Sequence, residues 1–100
     1  MRKYEIVYSQ EASEDLDNLF NAIIVDYQSP LTAFRYTQGI IDTIESLVIV
    51  PTAFAIRHNR SLQQYGFNVR RVNYKKMAII YTISENIVFI HRIIAGSLII

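Results

Sequence analysis

The stretch GFNVRRVNYKKMAIIYTISENIVFIHRIIAG, residues 66–96, carries three apolar runs separated by two short polar links. The runs are residues 67–72, 77–83 and 87–95, and the links are NYKK at 73–76 and SEN at 84–86. The runs are rich in β-branched and aromatic side chains, which are typical of strands, and the links are short enough for hairpins. The middle run shows little alternation, which predicts a central strand covered on both faces. We therefore predict three consecutive antiparallel strands.

Two helix patterns precede these strands. The first follows a capping residue, Ser9, and its apolar positions recur at helical spacing: Ala12, Leu16, Leu19, Phe20, Ile23 and Tyr27. The second begins at Ser29 and Pro30, and its apolar face carries Ala33, Thr37, Ile40, Ile44 and Leu47. It must end before Pro51. The link between the two helices is short, so they are predicted to form an antiparallel hairpin.

A short strand is predicted ahead of the first helix, because residues 3–8, KYEIVY, alternate in polarity. The order is then β-α-α-β-β-β. It predicts one α+β domain over residues 1–100, with the helical hairpin packed on one face of a small, mostly antiparallel sheet. Residues 51–66 have no clean period and are predicted to be a long loop of the kind that is often functional.

The composition excludes several classes of protein. A hydrophobic share of 51% and a charged share of 19% are those of a globular chain. There is no cysteine, and the two histidines, His58 and His91, are not spaced as a metal-binding pair, so no metal and no cofactor is predicted. No signal-peptide core or membrane-spanning run is visible, which predicts a cytoplasmic protein that does not contact the membrane.

The charges are divided unevenly along the chain. Residues 1–45 hold three cations against eight acids, a net charge of −5, whereas residues 46–100 hold seven cations against one acid, a net charge of +6. Such asymmetry indicates contact with nucleic acid or with an acidic partner. A dipolar surface without a specific role is the alternative.

Arginine is the residue type best suited to grip a phosphate or a carboxylate. Arg57 and Arg60 flank His58 in the predicted loop. Arg92 lies among apolar residues, so a structural pairing with an acid of the helices and a functional role are both open. Tyr74 and His58 are secondary candidates for target binding.

Arg70 and Arg71 are adjacent on a predicted strand, which places them on opposite faces unless a bulge intervenes. The apolar residues of this strand slip in phase between positions 69 and 72, which predicts a bulge that brings both arginines to one surface. Lys75 and Lys76 follow at the turn and are interpreted mainly as solubilising edge charges, with target binding as a secondary role.

Several motifs occur together in a fixed order: YEIVYSQEASEDL, YQSPLTAFRY, IESLVIVP, GFNVRRVNYKKMAIIYTI and IVFIHRIIAG. In this order and spacing the chain resembles the RelE/ParE superfamily of bacterial type II toxins, over nearly its whole length. The resemblance implies a toxin that is silenced by a cognate antitoxin. The toxin is expected to form a homodimer or a heterotetramer with the antitoxin. It also implies one of two targets, either the ribosome with its mRNA or DNA gyrase.

The two branches of the superfamily differ in their side chains. The nuclease branch has an arginine three residues before the tyrosine of the central strand, where this chain has Ala78 before Tyr81, and it has an arginine and a tyrosine where this chain ends in GSLII. A metal-independent endoribonuclease would then depend on Arg70, Arg71, Arg92, His58 or Tyr74. Whether the chain is an enzyme is therefore left open.

The gyrase-directed branch closes with an arginine, a histidine–glycine pair and further basic residues. Arg92 and Gly96 match this pattern, whereas Ala95 replaces the histidine and Leu98 replaces a cation. The resemblance is accordingly closer to ParE than to RelE, with gyrase as the expected target. A non-toxic relative that only binds its partner is a third interpretation.

Overall fold

The structure is a computed structural model that describes residues 3–100. Its helices and strands are β1 (Glu5–Tyr8), α1 (Gln10–Tyr27), α2 (Pro30–Glu45), β2 (Arg70–Tyr74), β3 (Met77–Ser84) and β4 (Ile87–Ala95). The strands form one sheet in the order β1-β4-β3-β2, in which β1 runs parallel to β4 and the other pairs are antiparallel. The predicted α+β order and mostly antiparallel sheet are confirmed.

Both helices begin where the caps were predicted. The Ser9 hydroxyl accepts a hydrogen bond from the Ala12 amide at 2.9 Å, and the Ser29 hydroxyl accepts one from the Thr32 amide at 3.1 Å. α1 is closed by Gln28, which follows the helix in the left-handed conformation with φ of 50°. Within residues 3–100, neither helix combines the length and the apolar character needed to cross a bilayer.

The sheet is covered on both faces. The larger cluster lies between the sheet and the helical hairpin, and its fully buried members are Ala12, Ile40, Ile44, Leu47, Ile79, Tyr81, Val88 and Ile90. The face opposite the helices, which we call the outer face, carries a smaller cluster: Leu62, Val69, Ala78 and Ile80, with Tyr65 and Ile99 packed against it. Two-sided burial explains why the middle apolar run shows little alternation.

The predicted boundaries of β2 are wrong. This strand begins at Arg70 rather than at residue 67, because Gly66, with φ of 134°, turns the chain and leaves Phe67 93% exposed. It continues to Tyr74, so the link to β3 is the pair Lys75 and Lys76 rather than four residues. Lys75 adopts φ of 51°, which permits a two-residue turn without glycine.

The predicted long loop is partly ordered. It contains 3-10 turns at Pro51–Ala53 and at Arg60–Tyr65, and the second supplies the outer-face side chains Leu62 and Tyr65. Leu62 and Tyr65 therefore serve packing, and the spacing of the apolar residues in the loop was too irregular for a helix or strand period to be recognised.

The predicted bulge is also wrong in position. β2 pairs with β3 in continuous register from Arg70 to Tyr74. The irregularity lies between β3 and β4, where Ile80 pairs with Arg92 but Tyr81 pairs with Ile90, so that β4 has one extra residue at His91. Because the register of β2 is regular, Arg70 and Arg71 face opposite sides of the sheet.

Candidate functional site

Arg70 lies on the side of the sheet that faces the helices and is engaged in structure. Its guanidinium donates hydrogen bonds to the backbone carbonyls of Thr52 and Phe54. The neighbouring Tyr81 hydroxyl donates to the carbonyl of Pro51 at 2.6 Å, and burial raises the pKa of Tyr81 to about 12. Together these bonds fix the start of the loop against the sheet. The role of Arg70 in target binding stays a prediction, and its guanidinium already has two backbone acceptors.

Arg92 is also held by a partner within the chain. Its Nε and a terminal nitrogen donate to the two carboxylate oxygens of Asp15 at 2.8 and 3.0 Å. The same carboxylate accepts the Ile93 amide at 2.9 Å. β1 ends at Tyr8, so the edge of β4 would be open here, and α1 places Asp15 against it. The hydrogen bond to Asp15 raises the pKa of Arg92 above its usual value. The predicted pairing with an acid of the helices is thus present.

His91, which the sequence did not single out as a functional residue, lies on the outer face beside Phe89. Its Nε2 is 2.7 Å from the Thr82 hydroxyl, and its ring stacks on Tyr65 with centroids 5.2 Å apart. Burial lowers the pKa of His91, and the negative charge of Glu11 opposes this effect. Strand alternation accounts for the face of His91, since Val88 and Ile90 point to the helices, but the contacts with Thr82 and Tyr65 depend on pairing and on the packing of the loop.

A pH dependence of stability follows from the lowered pKa of His91. The folded state binds the proton less readily than the unfolded state, so the free energy of unfolding should fall as the pH drops from about 6.5 through the folded pKa. We expect His91→Gln to reduce this decline, as measured by urea denaturation at several pH values between 7.5 and 5. The exposed His58 provides the control, and His58→Gln should leave the decline unchanged. An unaltered decline in His91→Gln would show that other groups cause it.

Most of the remaining candidate side chains are more accessible than Arg70 and Arg92. Arg57, His58, Arg60, Lys75 and Lys76 are exposed, and Arg71 is half-buried. Lys75 lies 5.5 Å from the centroids of both the Tyr36 and the Tyr74 rings, which gives it a cation–π role beyond solubility. The structure thus divides the predicted set into two engaged arginines, Arg70 and Arg92, and a group of exposed or half-buried cations near β2 and the loop.

Two of these cations line one cleft. It lies between α2 and β2, has a volume of about 670 Å³, and is lined by Gly39, Asp42, Thr43, Ser46, Phe54, Arg57, Arg71, Val72, Asn73 and Tyr74. The Arg71 Nε donates to the Asn73 side-chain oxygen at 2.8 Å. Asp42 is the one acid that lines the cleft, and among the described residues it forms no ion pair with Arg57 or Arg71.

Tyr74 forms one wall of the cleft and packs closely on α2. Its ring meets Tyr36 edge-to-face with centroids 5.3 Å apart. A Cβ atom at Gly39 would lie 2.2 Å from the Tyr74 ring, so glycine is required for this approach. An isolated glycine within a helical pattern was the one signal in the sequence that indicated this contact.

Among the described residues, no group of three or more histidine, aspartate or glutamate side chains is arranged so that it could hold a metal ion.

The comparisons with known proteins agree with this architecture. Residues 6–98 match the family model described as ParE toxin of type II toxin-antitoxin system, parDE. The chain belongs to the ParE toxin family. It is therefore a ParE-family toxin of a type II toxin–antitoxin system, and the family implies a cognate ParD antitoxin as its partner. The expected closeness to ParE is confirmed.

A solved structure shares the fold. A chain of the "Chromosomal ParDE TA system from P. aeruginosa" superposes with a TM-score of 0.75 at 19% sequence identity, over 93% of this chain and 96% of that one. At this identity the likeness establishes the ParE fold alone. No curated protein matches the sequence.

Proposed function

We propose that this ParE-family toxin arrests bacterial growth by acting on DNA gyrase in the cytoplasm, and that its cognate antitoxin reverses the arrest. The proposal is supported by the way the chain uses the side chains that a nuclease would need. Cleavage of RNA without metal requires cations directed at the phosphate and a group that takes the 2′-hydroxyl proton. In this chain the position at which the nuclease branch carries an arginine is the fully buried Ala78, and the guanidinium of Arg92 is bound to Asp15. Neither position directs a free cation at a phosphate.

The accessible cations provide the surface that we assign to target binding. Arg57, Arg60, Arg71 and Lys76 are exposed or half-buried, and they all belong to the loop or to the hairpin of β2 and β3. A group of exposed positive charges attracts an acidic protein surface or DNA and accelerates association. Arg70 is excluded from this set because its guanidinium fixes the loop.

The decisive experiment expresses the toxin alone and together with the antitoxin encoded beside it. We expect growth arrest that the antitoxin relieves, together with altered plasmid supercoiling in the cell and inhibition of purified gyrase by purified toxin. Cleavage of mRNA within codons on translating ribosomes, without any effect on gyrase, would instead assign a metal-independent endoribonuclease. Normal growth with folded toxin accumulating would assign a non-toxic relative that only binds its partner.

The residue assignment has its own test. Arg57→Glu combined with Arg60→Glu should weaken gyrase inhibition by at least about tenfold, because two attractive charges become repulsive. The thermal midpoint should change little, since both side chains are exposed. Unchanged inhibition by this folded variant would show that the loop cations do not contact the target.

A further inference from the structure

The guanidinium of Arg71 lies over Gly96, at the 3-10 turn Gly96–Leu98 that follows β4. A Cβ atom at Gly96 would lie 2.5 Å from a terminal nitrogen of Arg71 and 3.6 Å from its Cζ, and the Lys76 carbonyl oxygen would be 3.4 Å away. Gly96 does not adopt a positive φ, so its backbone conformation is open to any residue. Glycine is therefore needed here for space, and the group that occupies the space is the Arg71 guanidinium.

The same guanidinium is held at a second point. Its Nε donates to the Asn73 side-chain oxygen at 2.8 Å, and the two residues extend from the same face of β2. Gly96 is itself fixed, because its amide donates to the Lys76 carbonyl at 2.8 Å. A long side chain that is fixed before it binds loses less conformational entropy on binding. Arg71 is therefore preorganised.

The terminal nitrogens of Arg71 are unused within the part of the chain that the structure describes, since they have neither a hydrogen-bond acceptor nor an acidic partner there. By contrast, Arg70 donates to two carbonyls, and Arg92 donates to both oxygens of a carboxylate. Parallel N–H groups of a guanidinium match the two oxygens of a carboxylate or a phosphate. Of the three arginines of the sheet, Arg71 is the one that can offer such a pair to a partner.

The surroundings of Arg71 favour a carboxylate on a protein. Leu98 belongs to the same turn as Gly96 and is 69% exposed, so the turn offers apolar surface as well as the guanidinium. Arginine combined with apolar surface is typical of protein–protein interfaces, whereas interfaces with nucleic acid are more polar and more positively charged. Asp42 lines the cleft that Arg71 also lines, and its charge repels a run of phosphates more than a single carboxylate.

We propose that Gly96 and Asn73 are positioning residues that hold the Arg71 guanidinium for bidentate pairing with a carboxylate of the target protein. Gly96 leaves the space for the terminal nitrogens, and Asn73 fixes Nε. This inference rests on the proposed function and deepens it, because it selects one arginine from the accessible cations as the directional contact.

The first test does not depend on the target. The Nε–H group of Arg71 is followed by NMR in the wild type and in Gly96→Ala. The added methyl group should displace the flexible end of Arg71 without disturbing the sheet, and the Nε–H proton should exchange with water at least about tenfold faster. Ser97→Ala is the matched control, because it alters an exposed residue of the same turn and should leave the exchange unchanged. Equal exchange in the wild type and Gly96→Ala would overturn the role of Gly96.

Asn73 is tested in the same way. Asn73→Ala removes the acceptor of the Arg71 Nε–H group and should accelerate its exchange by a similar factor, whereas Asn73→Asp keeps an acceptor oxygen and should not. Slow exchange in Asn73→Ala would overturn the role of Asn73.

A double-mutant cycle tests the functional consequence, with the toxin concentration that half-inhibits gyrase as the measurement. Gly96→Ala and Arg71→Ala should each raise it by about tenfold or more, but Gly96→Ala should add less than about twofold once Arg71 is alanine. Arg71→Lys should match Arg71→Ala within about threefold, since lysine keeps the charge but lacks the paired N–H groups. An undiminished effect of Gly96→Ala in the Arg71→Ala background would overturn the positioning. Full inhibition by Arg71→Lys would overturn the bidentate pairing.

Failure of this site and failure of the proposed target give different results. The Arg71 Nε–H resonance is also followed while hexaglutamate, or an oligothymidylate of equal charge, is added to the toxin. A shift at lower concentrations of hexaglutamate, weakened by Gly96→Ala, would retain the site even if the wild type did not inhibit gyrase. A preference for the oligothymidylate would assign phosphate and overturn the carboxylate. Gyrase inhibition that Gly96→Ala leaves unchanged, despite faster Nε–H exchange, would retain gyrase and reject the site.

Discussion

Replacing Ala78 by arginine should destabilise the protein by about 4 kcal/mol or more, because an unpaired charge would be buried. Ala78 is fully buried in the outer-face cluster, against side chains of the Arg60–Tyr65 turn and of β3. An arginine here could reach water only by displacing that turn. This is the position at which the nuclease branch of the superfamily carries an arginine, so the prediction tests directly whether the outer face is a core or an open surface.

Urea denaturation of Ala78→Arg and of wild type measures this effect. Ser84→Arg is the matched control, because Ser84 is exposed at the end of the same strand and on the same face. It should change the free energy of unfolding by less than about 0.5 kcal/mol. If Ala78→Arg were as stable as the control, the outer-face cluster would not be a packed core, and the argument against a nuclease site on that face would fail.

Replacing Asp15 by alanine should cost about 2–3 kcal/mol of unfolding free energy. Three hydrogen bonds end on this carboxylate, two from the Arg92 guanidinium and one from the Ile93 amide. Hydrogen bonds that involve a charged group are stronger than neutral ones, and the Asp15 side chain is only 14% exposed. Its loss would leave the Arg92 guanidinium without a carboxylate partner and the edge of β4 open.

The control for this prediction is Asp17→Ala, which removes an exposed acid of the same helix. It should change stability by less than about 0.5 kcal/mol. Asp15→Asn should give an intermediate loss, because the amide oxygen retains one acceptor but no charge. Equal stabilities of Asp15→Ala and Asp17→Ala would mean that solvent replaces the carboxylate without cost.

The local order of the chain was readable from its sequence. Ser9 and Ser29 cap the two helices because a short hydroxyl beside the first turn satisfies a free amide, which is a property of neighbouring residues. The apolar positions of both helices and of the central strand likewise follow from periodicity. These local signals sufficed for the β-α-α-β-β-β order and, through the ordered motifs, for the resemblance to the ParE family.

The grouping of the arginines was decided by tertiary structure. The predicted bulge in β2 is absent and the observed one lies at His91, because strand register depends on pairing between segments rather than on local pattern. With this register, the Arg70 side chain lies against the loop and donates to the Phe54 carbonyl. Arg92 binds Asp15, which is 77 positions away in the sequence. Arg57 and Arg71 both line the cleft between α2 and β2. The sequence by itself determined the elements, their order and the abundance of cations in the second half. Which cations stabilise the fold and which stay open to a partner depended on contacts between distant residues, and such contacts exist only once the sheet has formed.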